Sequence, residues 1–111
     1  MKVINPQEAS PYTPELHFNM HLREVVGKTL GSFTAAIGYM EPGGGAEAHK
    51  HDGEHLIFVL EGKLSVTGSD GTVQVPAGQA VYIGVGELHA TKNEESERAV
   101  YLIITVPSRG K

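Results

Sequence analysis

Four histidines hold the residue types from which chemistry can be read in this chain. His49, His51 and His55 fall within seven positions, and His89 follows further along. Imidazole is the commonest metal-ligating side chain, and it suits Zn, Cu, Fe and Ni. The three clustered rings share sequence parity, so an extended strand projects all of them to one face. On such a strand His49 and His51 stand about 7 Å apart, close enough to converge on one ion. His55 is two pleats further on and needs a kink, which Asp52-Gly53 offers. On the residues alone two readings stand side by side: rings that share an ion, or polar residues on a loop. His17 and His21 lack the glycine framing and are expected to be solvent-facing or hydrogen-bonded strand residues rather than ligands.

The elements around these rings read as short strands. Leu16 to Leu22 alternates with period two, which places Leu16, Phe18, Met20 and Leu22 on one face and His17, Asn19 and His21 on the other. Phe33 to Met40 is the next candidate, ended by Glu41-Pro42-Gly43-Gly44-Gly45. Leu56 to Leu60 is an apolar run with Glu61-Gly62 as a hairpin turn and Lys63 to Thr67 as its partner. Gly68-Ser69-Asp70-Gly71 predicts a second hairpin into Thr72 to Val75. Ala80 to Ile83, Glu87 to Lys92 and Ala99 to Val106 complete the set. Fourteen glycines and six prolines among 111 residues suit such punctuation, and no stretch makes a convincing helix. Many short strands separated by turns predict a sandwich or barrel. In the central run Ile57 and Val59 face one way while Leu56, Phe58 and Leu60 face the other, which predicts burial on both faces. A single barrel fills only the inner face, so the outer one calls for a second copy, the N-terminal arm of one, or further strands of the same chain, and a homodimer is the expectation taken.

Length and composition narrow the rest. A chain of 111 residues is the size of one domain, read as a proline-bearing arm over 1–14 and a single β domain over 15–111. A hydrophobic share of 40% supports a core, and 20% charged residues is too few for disorder. The formal charge of −4, with scattered lysines and arginines, gives no footprint for nucleic acid. With no cysteine, disulfide and thiolate sites are excluded. The opening residues lack a secretory apolar region, and no apolar run reaches the ~18 residues of a spanning helix, so a cytoplasmic protein off the membrane is expected.

Two spacings then resemble the motifs of the cupin family. Gly43 is followed after five residues by His49-Lys50-His51, after three by His55 and after six by Gly62. This resembles the first cupin motif, with His55 at the position of its glutamate. Gly78 is followed after five residues by Gly84-Val85-Gly86, after two by His89 and after three by Asn93. This resembles the second motif, with Gly84 in place of its proline. Using Glu54 as the ligand instead breaks the spacing and reverses the side-chain face.

The resemblance implies an all-β jelly roll, a double-stranded β-helix, enclosing a pocket. It implies a divalent transition metal (Mn, Fe, Ni, Cu or Zn) held by His49, His51, His55 and His89, as in a subset of small cupins with four histidine ligands. Four neutral ligands leave the full charge on the ion and make it a stronger Lewis acid than one with a carboxylate in the set. Phe33, Met40, Ile57, Val59, Tyr82 and Ile104 are the expected pocket wall. Glu47, Glu87 and Tyr82 are candidates for a base or for supporting hydrogen bonds. The leading expectation is a dioxygenase-like oxidoreductase acting on a small enolisable or phenolic compound. A metal-dependent isomerase, lyase or decarboxylase, and a non-catalytic ligand-binding protein, are the alternatives, because the fold hosts all of them.

Overall fold

The computed structural model describes residues 1–107. After a 3-10 turn at Pro6–Glu8 come eight strands: β1 His17–Val26, β2 Thr34–His49, β3 Glu54–Glu61, β4 Lys63–Gly68, β5 Gly71–Pro76, β6 Ala80–Ile83, β7 His89–Lys92 and β8 Ala99–Val106. They form an antiparallel jelly roll in the order β5-β4-β7-β2-β8-β3-β6, with β1 added along β2. No helix among the described residues is long and apolar enough to cross a membrane.

Strand β2 joins the two sheets. Its first half, Thr34 to Met40, pairs with β8, and its last residues, Gly45 to His49, pair with β7. The Pro42-Gly43-Gly44-Gly45 stretch, expected to end a strand, is instead the corner where this long strand changes partner. Glycine is required there by space. A Cβ on Gly44 would run into the Asn19 carbonyl, and one on Gly45 into the Thr91 carbonyl. Gly43 adopts φ 82°. Asn93, fully buried, pins the corner from the other side. Its backbone exchanges hydrogen bonds with Gly43 and Gly44, while its Nδ2 donates to the Met40 and Glu97 carbonyls at 2.9 and 2.8 Å.

Strand β1 departs from the plain alternation read from its sequence. Met20 and Leu22 are buried, but Leu16 and Phe18 are 54% and 40% exposed. The pairing register shifts between Phe18 and Met20, and the residue between them, Asn19, has φ 54°. One extra residue at a bulge inverts the parity of everything before it. His17 therefore falls on the same face as Met20 and Leu22. His21 stays outside, stacked on Tyr39 at 4.8 Å.

Gly62 is not a hairpin turn. Strand β3 pairs with β8 and β6, so neither of its edges is left for β4, which pairs with β5 and β7. The chain at Gly62, with φ 79°, crosses from one sheet to the other. The hairpin expected at Gly68 to Gly71 forms between β4 and β5. The core between the sheets centres on Met40, Val59, Leu64, Ile83, Ala99 and Tyr101. On the outer face of β3, Leu56, Phe58 and Leu60 stay about 40% exposed, so the run expected to be covered on both sides is covered on one within a single chain. The first fourteen residues lie along β1, through the Tyr12–Leu22 bridge and the hydrogen bond from Thr13 Oγ1 to the Met20 carbonyl.

Candidate metal centre

The four motif histidines arrive at one place from four segments. His49 ends β2 and sits opposite His89 at the start of β7. His55 is the second residue of β3. His51 lies in the connection between β2 and β3, where the bend at Asp52-Gly53 folds the chain back as its sequence suggests. Gly86 N donates to the His51 carbonyl at 3.0 Å and ties the second glycine turn to this connection. Ring centroids are 4.6 Å apart for His49–His51, 4.5 Å for His49–His89, 4.3 Å for His51–His55 and 5.6 Å for His55–His89. Ligand nitrogens of His49, His51 and His89 all lie within 4.8 Å of one another. His55 adjoins this trio from the floor of the pocket.

Three of the four rings are oriented through Nδ1. His49 Nδ1 donates to the Glu47 carbonyl at 2.6 Å and His89 Nδ1 to the Glu87 carbonyl at 2.9 Å. His55 Nδ1 pairs with Thr105 Oγ1 at 2.9 Å. A carbonyl has no proton, so Nδ1 carries it and the lone pair of a neutral ring sits on Nε2. This is the arrangement in which outer partners fix the tautomer of a ligating histidine. His55 Nε2 is buried and has no partner among the described residues. An orphaned buried imidazole nitrogen is costly unless something binds it, and a cation among Nε2 lone pairs is what this donor set fits.

Burial and the neighbouring rings disfavour protonation of His51, His55 and His89. His55 is driven down to about 4, first by burial and then by His51, His89 and His49. Burial also lowers His51 and His89, with neighbouring histidines adding to it; for His89 the Glu87 carbonyl works in the opposite direction. Neutral rings are the form that ligates a metal.

The rings open onto a cavity of about 500 Å³, a size that takes a small organic molecule. Leu22, Ile57, Leu64, Tyr101 and Ile103 give it an apolar wall, and Thr91 and Thr105 add hydroxyls near the rings. Of the wall residues expected from sequence, Ile57 alone lines this cavity. Met40 and Val59 belong to the packed core instead, and Phe33 and Tyr82 are exposed. Ile104 has the parity opposite to Ile103, so β8 presents the latter. The acid–base candidates also face elsewhere. Tyr82 OH donates to Glu54 Oε1 on the outer face, the Glu87 carboxylate accepts from Gly84 N, and Glu47 lines a separate, smaller pocket. Glu54, the second-choice ligand, is thereby accounted for outside the cavity.

His17 is the residue that sequence reasoning misplaced. It lines the cavity with its ring centroid 5.3 Å from that of His49. The bulge at Asn19 brings it inward. A signal was present in the repeated Glu-x-His triplets, Glu15-Leu16-His17, Glu47-Ala48-His49 and Glu87-Leu88-His89.

Comparison with known proteins agrees with this geometry. Residues 36–105, more than half of the chain, match the family described as Cupin domain. The chain belongs to the cupin family. Among solved cupin-like structures, the polyketide cyclase RemF from Streptomyces resistomycificus superposes with a TM-score of 0.83 at 23% identity, covering 95% of this chain and 78% of that one. A predicted oxalate decarboxylase from Thermotoga maritima gives 0.83 at 19% identity, covering 96% and 99%. A sugar phosphate isomerase of the cupin superfamily from Silicibacter pomeroyi gives 0.81 at 15%, covering 96% and 76%. At these identities the likeness establishes the cupin fold and does not transfer an activity. No match is found among curated proteins.

Proposed function

We propose that this cupin is a small metal-dependent enzyme. His49, His51, His55 and His89 hold a divalent transition metal, and the reaction is dioxygenase-like, on a small enolisable or phenolic compound. The observation that carries the reading is the meeting of these rings at an apolar cavity, with the buried His55 Nε2 left unpaired. A bound ion with four neutral ligands supplies strong Lewis acidity for an anionic substrate oxygen. The chain's own part is to place and shield. The Glu47 and Glu87 carbonyls and Thr105 Oγ1 hold the rings in register, while Leu22, Ile57, Leu64 and Ile103 keep the substrate's surroundings dry. The Glu87 carboxylate accepts from Gly84 N and Glu47 lines the smaller pocket, so neither is placed as a base in the cavity. Oxygen uptake by metal-reconstituted protein, measured with a panel of diketones, catechols and flavonols, tests it. Uptake with at least one class is expected, and none with any of them would overturn the oxidative reading.

The exposed row Leu56, Phe58 and Leu60 supports a second copy of the chain as its cover. Sedimentation equilibrium at micromolar concentration is expected to give a dimer, and Phe58→Glu to give a monomer. A wild-type monomer would contradict this.

A further inference from the structure

His17 is built like the two ligands His49 and His89, yet it stands outside the set that converges. Its Nδ1 donates to the Glu15 carbonyl at 2.8 Å, the same contact, two residues back, that His49 makes with Glu47 and His89 with Glu87. That contact fixes the Nδ1 proton and leaves Nε2 as the nitrogen available to the cavity. Among the described residues no side chain pairs with it.

The backbone around His17 is held in a conformation that ordinary residues avoid. Leu16 has φ 66° and Asn19 φ 54°, two non-glycine residues in the left-handed region within four positions. Each costs on the order of 1 kcal/mol and persists only where the surroundings impose it. Here Glu47 N donates to the Leu16 carbonyl at 2.8 Å, and Asn19 Nδ2 donates to the Pro42 carbonyl at 3.0 Å. The first of these bonds ties the His17 segment to the segment that carries His49. A leucine and an asparagine in this geometry are therefore part of a device that turns His17 inward beside the cluster.

The cavity has few other groups for a substrate's protons. Apart from the histidines its lining is aliphatic, threonine and tyrosine with Lys28, and Glu24, the one carboxylate, is folded against Gly27. We propose that His17 is a substrate-binding residue. Its Nε2 accepts a hydrogen bond from a hydroxyl of the substrate and selects compounds with an O–H donor beside the oxygen that approaches the histidine cluster. The class is that of 1,2-dihydroxyarenes, enols of vicinal dicarbonyls and α-hydroxy ketones. This rests on the metal-centre reading above.

The test uses full-length protein loaded with Zn(II), which is redox-silent, and titrates it calorimetrically with catechol and with 2-methoxyphenol. The two probes differ in whether the second oxygen can donate. Wild-type protein is expected to prefer catechol, and His17→Phe to reduce that preference about tenfold, the worth of one buried hydrogen bond. His17→Gln keeps an acceptor and is expected to restore most of it. Zinc content is expected to stay at the wild-type value in both variants. An unchanged preference in His17→Phe would overturn the proposal, since catechol would then be favoured by chelation alone. Zinc loss in that variant would overturn it too, by making His17 a ligand, as would the absence of catechol binding to loaded wild-type protein. Wild-type protein that takes up no zinc would defeat the metal-centre reading itself.

Discussion

Acidifying the metal-free protein should expose what it costs to keep His55 in the floor of the pocket. The ring is 5% exposed, and its pKa is lowered to about 4 by burial first and by His51, His89 and His49 next. In an unfolded chain a histidine titrates near 6.5. Between those values the unfolded chain binds a proton that the folded one refuses, so stability rises with pH. The contribution is fully present above pH 6.5 and is lost as pH falls toward 4. At 1.36 kcal/mol per unit the full swing for this ring is about 3 kcal/mol. His17, His51 and His89 are lowered as well and act with the same sign. Urea unfolding of chelator-treated protein, followed by circular dichroism from pH 7 to pH 4.5, measures it. His55→Gln should flatten the pH dependence by on the order of 2 kcal/mol over that range. Parallel curves for the two proteins would refute the reasoning. Saturating metal should raise the wild-type stability and make its fall below pH 6.5 steeper, since the ion keeps protons off the ligating nitrogens of the folded state while the unfolded chain still binds them.

Two further outcomes follow from the corner of β2 and the cavity wall. Asn93→Ala strips partners from the buried Met40 carbonyl, from the Glu97 carbonyl and from Glu95 N. It should cost about 2–4 kcal/mol in urea unfolding and weaken metal retention with it. Gly38→Ala places a methyl group against the Tyr101 ring, a wall of the cavity. A loss of about 1–3 kcal/mol is expected, and a wild-type unfolding midpoint would show that the ring can move aside at no cost.

Much of this architecture could be read from the chain because its strands are short and marked by turns. The extents of β3, β5, β6 and β8 follow their apolar runs closely. The failures have a common physical cause, which is that pairing partners are tertiary facts. Pro42 to Gly45 reads as a stop until β7 and Asn93 are there to receive the strand on its far side. Glu61-Gly62 reads as a hairpin until both edges of β3 are taken. Parity put His49, His51 and His55 on one face but left an ion site and a polar loop both open, and it was the resemblance to the two cupin motifs that joined His89 to them. His17 was not legible, because a single left-handed residue at Asn19 inverts the alternation, and no propensity of asparagine marks that position unambiguously. Glu47 and Glu87 were chosen for their nearness in sequence to the ligands. Each stands two residues before a ligand and gives its ring a backbone carbonyl, while the Glu87 carboxylate is drawn to Gly84 N.

The central claim is that His49, His51, His55 and His89 bind one ion together. Elemental analysis of protein purified without a histidine tag, before and after reconstitution, tests it most directly. About one equivalent of a transition metal is expected for wild-type protein and for His21→Ala, with loss in His49→Ala and in His89→Ala. Less than about a tenth of an equivalent in reconstituted wild-type protein, or equal retention in all of these variants, would contradict the account.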